Sequence, residues 1–223
     1  DTAALFFGRA VGLLLGIVRL NYLATYLGVA NFGILNFATY FTALFQSLFD
    51  LGMAQLMTRE ISRNPSRSGE MLGRVVVLKL FIVLVASLLV GAVTLISGFD
   101  RVTNWAVLLT TLALAINGIS MMFLSAFQAH RKMVTVSIAN IANDAIISAA
   151  IILMIPSFPG VVTALSLTVL VSAINLGVLI RIYLRVVGPL EFKVDVPVWR
   201  ALLKEGTPIA ASSLAISIYT FIG

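Results

Sequence analysis

The sequence contains no cysteine, which excludes disulfides, thiolate metal sites and cysteine catalysis. It has one histidine, His130, in the polar stretch QAHRKM between two apolar runs, where it reads as a solvated loop residue. No spacing of His, Asp and Glu suits a metal, and there is no Ser/His/Asp set and no GxxxxGK[ST] phosphate loop. Charge is also scarce. Asp, Glu, Lys and Arg make up 11% of the residues, against about 25% in a soluble domain. Hydrophobic types reach 60%, and the mean hydropathy is +1.07. Such a chain is read as an all-α integral membrane protein, and its 223 residues count spans, not globular domains. Neither enzymatic activity nor a cofactor is expected. The net charge of +6 reports orientation in the bilayer before it suggests nucleic acid, and no nucleic-acid partner is expected.

A span needs about 20 mostly apolar residues. Runs of that kind cover about 3–27, 32–57, 73–98, 104–127, 133–155 and 160–184. The first begins at an acid, Asp1, lacks a small-residue cleavage pattern and is followed by more runs, so it reads as a span. A seventh begins near Pro208 and reaches Gly223 too soon to cross. The expected organisation is a six-helix lobe over 1–185, a cytosolic or interfacial connection over 186–206, and the cut-off start of a second lobe over 207–223. Within the connection, VPVWRALLKEG reads as a short interfacial helix with Pro197 near its start. Segments 58–74, 128–132 and 181–204 carry eleven Lys and Arg, while the alternate loops carry only Arg101. That asymmetry predicts a cytosolic N-terminus and cytosolic basic loops.

The run 133–155 carries Asn140, Asn143 and Asp144 at its centre. At 1.5 Å per residue Asp144 lies about 16 Å from the outer end of its helix, close to the bilayer centre. Ser137, Asn140, Asp144 and Ser148 fall within an arc of roughly 80°. A charge at that depth costs about 2.5–3.5 kcal/mol even on the lenient insertion scale, so the stripe is expected to face other helices or a wet cavity. Arg19 is about 12 Å from the outer end of its own helix; Arg9, Asp50 and Lys79 are about 27 Å from theirs. Depth matching sets Asp50 near Arg9 or Lys79 at the cytosolic rim and Asp144 near Arg19 deeper in. Asp50, Lys79 and Asp144 are the ion-pair or coupling candidates. Lys79 is near enough to its helix end to snorkel. Gly8, Gly12 and Gly16 follow the small-xxx-small rule for close helix packing. Asn117 and Asn175 set amides at mid-depth, either to join helices or to line the same cavity.

Several local patterns carry a family resemblance. The stretch 21–64 has an LG…FG turn, then DLGM and TREISRN; FLSAFQAHRKM (123–133) and WRALLKEGTPIAASSLAISIY (199–219) follow. Together they resemble the first half of oligosaccharide flippases of the polysaccharide-export type, in the multidrug/oligosaccharidyl-lipid/polysaccharide superfamily. The resemblance implies half of a two-lobe transporter with alternating access. It implies a lipid-linked oligosaccharide as substrate, the prokaryotic inner (plasma) membrane as location, and the bilayer and other polysaccharide assembly proteins as partners. Arg9, Arg19, Asn117, Asn140, Asp144 and Asn175 are then cavity candidates for substrate. The alternative is an ion-coupled multidrug antiporter with Asp144 or Asp50 as its ion site. Three cations against two acids within the spans tilt the reading toward an anionic substrate. A non-transporting scaffold would have no use for a polar stripe at mid-membrane.

Overall fold

A computed structural model describes residues 2–222, and the side chains of 7–46, 49–208 and 211–212. Asp1 and Gly223, and the remaining side chains of the 207–223 segment, lie outside the described residues. The described chain is helical apart from turns and one extended connection. Its helices are α1 (Thr2–Ala43), α2 (Gln46–Asp50), α3 (Met53–Arg63), α4 (Ser68–Ser97), α5 (Arg101–Ala129), α6 (Met133–Met154), α7 (Val161–Val186) and α8 (Val196–Ile222). Five stretches are long and apolar enough to cross a membrane: Phe7–Ala43, Pro65–Ser97, Arg101–Ala129, Met133–Met154 and Val161–Val186. Their outward faces carry Phe81, Leu88, Leu95 and Leu153, all well exposed, as a lipid-facing surface requires. The chain is a multi-pass membrane protein.

The expected and observed spans differ at the N-terminal end. Two runs were expected over 3–27 and 32–57; here α1 continues through the first and into the second as far as Ala43, interrupted at Gly28, whose φ of 70° and ψ of 169° fit glycine alone. The Asn31 amide donates to the Leu27 carbonyl (3.2 Å), satisfying a backbone group beside the interruption. The second run is itself broken. It turns after Ala43 and again at Leu51 and Gly52, both left-handed with φ of 48° and 65°. The basic segment 58–74, expected as a loop, is mostly helix, joined through a short 3₁₀ turn at Pro65–Arg67. The last four expected spans match α4 to α7 within a few residues.

α1 packs chiefly on α6, and α5 on α7. Two apolar cores result. One, at the end bearing the basic segments, joins Met57, Leu72, Phe123, Phe127 and Tyr183. The other, toward the opposite end, joins Leu23, Leu35, Val107, Ile151 and Val161.

The connection between α7 and α8 lies across the start of α4. Gly69 and Gly73 permit this approach, since a Cβ on either would collide with the carbonyl of Pro189 or Glu191. Glu191 N–H donates to the Gly69 carbonyl (3.3 Å). Arg74 pairs with Asp195 (3.0 Å), and the Trp199 indole donates to the Arg74 carbonyl (3.0 Å). Asp195 also caps α8, its carboxylate accepting from Val198 N–H (3.1 Å). α8 was expected as two pieces, a short interfacial helix and a new span from Pro208. It runs unbroken through both Gly206 and Pro208. Proline forfeits the bond to the Lys204 carbonyl, but the neighbouring Thr207 hydroxyl donates to the Leu203 carbonyl (2.5 Å).

Candidate functional site

The α1–α6 contact is built on absent side chains. A Cβ at Gly8 would lie 3.1 Å from Ser137 Oγ, and one at Gly12 would lie 2.8 Å from Asp144 Oδ2. The Asp144 carboxylate therefore rests on the bare backbone of α1. Gly16, one step further along the small-residue row, meets nothing within 4 Å. A cavity of about 720 Å³ lies along this contact, lined on α1 from Gly8 to Leu20.

Its polar lining is Arg9 and Arg19 from α1, Ser137, Asn140 and Asp144 from α6, and Gln128 from the end of α5. Leu13, Ile17, Leu20 and Val136 complete the wall with hydrocarbon. Of the stripe read from the sequence, Ser137, Asn140 and Asp144 line the cavity, Ser137 being buried against Gly8. Ser148 is buried, and its Oγ, like Asn143 Oδ1, has no hydrogen-bond partner among the described residues.

Of the expected site residues, four meet in this cavity: Arg9, Arg19, Asn140 and Asp144. Arg19 and Asp144 interact electrostatically, but among the described residues they form no ion pair within 4.0 Å. Asn117 and Asn175 do not line the cavity; Asn117 is exposed on α5 and Asn175 half-buried on α7. Gln128 was not among the expected site residues, because it opens the basic QAHRKM segment at the helix end and does not lie at mid-depth. Two cations, two amides and one carboxylate without a close cation leave a net positive, hydrogen-bonding hollow inside an apolar wall. Guanidinium groups present several N–H donors in a planar fork that matches phosphate or carboxylate oxygens.

Asp50 and Lys79 form a separate site, and the expected snorkelling of Lys79 is not observed. Its side chain is 0% exposed and pairs with Asp50 at 3.5 Å. The ammonium also donates to the carbonyls of Phe49 and Asp50, which the break at Leu51 and Gly52 frees from helical bonding. Gly118 of α5 makes room for the lysine stem, since a Cβ there would lie 3.3 Å from Lys79 Cε. Lys79 thus serves the break in the helix and does not line the cavity. Arg9, the other partner expected for Asp50, is in the cavity instead.

The structure is thus a multi-pass helical bundle with a hollow between α1 and α6 that is lined by two arginines, two amides, a serine and a carboxylate. Compared with known proteins, the chain matches the family described as polysaccharide biosynthesis protein over residues 1–223, and it belongs to that family. No curated protein and no solved structure matches it.

Proposed function

We propose that this protein is a flippase. It moves a polyprenyl-(pyro)phosphate-linked oligosaccharide from the cytosolic to the outer leaflet by alternating access, for cell-surface polysaccharide. The observation that carries the reading is the cavity itself, with Arg9 and Arg19 on one helix facing Asn140, Asp144 and Gln128. Membership of the polysaccharide biosynthesis family supports it. The physical problem is that an anionic, strongly hydrated head cannot enter hydrocarbon. Guanidinium and amide donors replace its water contacts, while the prenyl tail stays in lipid beside the apolar wall.

In this reading the protein is a transporter and not an enzyme, working in the inner (plasma) membrane of a prokaryote with a cytosolic N-terminus. Its partners are the lipid-linked glycan, the bilayer and other polysaccharide assembly proteins. α1 counts as two spans folded at Gly28, which with α4, α5, α6 and α7 gives six crossings before α8. The stretch Phe7–Ala43 is about 55 Å long as straight helix, too long for one crossing of a core about 30 Å thick.

The test is surface polysaccharide in cells lacking their own flippase, complemented with full-length variants. Arg19→Lys keeps charge but loses the planar fork, so partial export is expected. Arg19→Gln should reduce export at least tenfold at unchanged protein level. Equal complementation by the lysine and glutamine variants would remove charge recognition by Arg19 from the mechanism.

A further inference from the structure

Beyond the cavity, α1 carries a second hollow nearer Gly28. It holds about 370 Å³ and is lined by Val18, Asn21, Tyr22, Thr25 and Tyr26. We infer that this hollow is a glycan subsite, in which Tyr26 stacks on a pyranose ring and Asn21 hydrogen-bonds its hydroxyls. The inference rests on the flippase reading and adds to it a place for the sugar.

Position supports the assignment first. At about 100° and 1.5 Å per residue, Tyr26 lies within about 20° of Arg19 on the helix face and about 10 Å further along it. A head held by its phosphate on Arg19 can therefore lay its attached sugar against Tyr26. The ring is also held in place. Tyr22 donates its hydroxyl to the Ile152 carbonyl of α6 (2.9 Å), and its ring lies 4.4 Å from that of Tyr26, tilted by 31°. Tyr22 is a positioning residue; Tyr26, 46% exposed, offers the free face. An interfacial belt tyrosine turns its hydroxyl to the headgroups, whereas Tyr22 turns inward to a backbone carbonyl of α6.

The chemistry suits a sugar. A pyranose presents flat C–H faces that rest on an aromatic ring and an edge of hydroxyls that both donate and accept. The Asn21 side chain is exposed, and no hydrogen bond engages its amide among the described residues. The Thr25 hydroxyl donates to the Asn21 carbonyl (3.0 Å), so its oxygen remains free to accept. The hollow contains no charged side chain, which fits a neutral ring better than a second anion.

The experiment measures binding of two probes to the full-length protein in nanodiscs: polyprenyl pyrophosphate carrying a disaccharide, and the same carrier without sugar. The wild type should bind the glycosylated probe more tightly. Tyr26→Ala should remove about threefold to tenfold of that preference and leave the sugarless probe unchanged. Tyr26→Phe and Tyr26→Trp should keep the preference, and Arg19→Gln should weaken both probes alike. Should Tyr26→Ala fail to accumulate, Asn21→Ala, which removes only an exposed amide, should lower the preference in the same direction. Binding of neither probe by the wild type overturns the flippase reading and the inference with it. Equal binding of both probes by the wild type, or an undiminished preference in the Tyr26→Ala and Asn21→Ala proteins, overturns the subsite alone and leaves these tyrosines as lipid-interface anchors.

Discussion

At the residue scale, the clearest lever is the glycine row of α1. Alanine in place of an interior helical glycine gains about 0.5–1 kcal/mol of helix propensity, so Gly12→Ala and Gly16→Ala share that term. They differ in what the new methyl meets: Asp144 Oδ2 at 2.8 Å in one case, nothing within 4 Å in the other. The carboxylate must move aside for Gly12→Ala. Export should fall several-fold at normal protein level, while Gly16→Ala should stay close to wild type. Identical complementation by the two variants would show that the seat of Asp144 is immaterial. A second residue-scale prediction concerns Asp100, which caps α5. The Thr103 hydroxyl, then the N–H groups of Thr103 and Val102, hold its carboxyl below the ordinary 3.8. A depressed value means that the stabilisation is present above the unfolded-state pKa and is lost as pH falls through the folded-state value. Asp100→Asn should therefore unfold at lower temperature than wild type at pH 7. The difference should shrink at pH values below 3.8, and a gap that stays constant down to acid would contradict the ionic cap.

At the element scale, the broken second run shows how far hydropathy reaches. The residues 32–57 look like one span because averaging over side chains says nothing of backbone dihedrals. DLGM contains a hint in Gly52, but nothing in the sequence tells that Leu51 also turns left-handed. Position along α4 suggested that Lys79 reaches the interface. The carbonyls freed by the break and the space over Gly118 draw it inward instead. The four later helices were legible because each is a long apolar run bounded by polar residues. At the break, Lys79→Met would leave the Phe49 carbonyl without a donor and Asp50 without its cation. A buried orphaned group costs about 1–3 kcal/mol; the carboxylate of Asp50, 45% exposed, can take up water instead. The variant should melt at clearly lower temperature in detergent. Adding Asp50→Asn should restore little, because the lost bonds are mainly to backbone. Full rescue by the double substitution would instead make the ion pair the dominant interaction.

At the scale of the whole molecule, depth and face brought Arg19, Asn140 and Asp144 together from the sequence, whereas depth set Arg9 at the rim with Asp50 and only the family resemblance set it in the cavity. Arg9, Arg19, Asn140 and Asp144 meet because α1 and α6 lie side by side along the glycine row. Asn117 and Asn175 share that depth but belong to helices whose neighbours no periodicity reveals. The basic segments come together at one end, where Arg59 pairs with Glu205 and Arg74 with Asp195. The remaining question is how often the chain crosses. With no cysteine in the sequence, single thiols can be read against a silent background. Ser66 is exposed in the turn before α4, Ser157 is exposed beyond α6, and Val29, beside Gly28, is 93% exposed. Three spans, α4, α5 and α6, separate Ser66 from Ser157, so S66C and S157C should react with an impermeant maleimide from opposite sides. V29C decides the rest. If α1 folds back at Gly28, it reacts from the outside, together with S157C. If α1 crosses as one helix, position 29 lies within the hydrocarbon and stays unlabelled from either side. Labelling of V29C together with S157C would establish six crossings before α8; a silent V29C would reduce the count to five and displace Tyr26 from the outer end of the bundle.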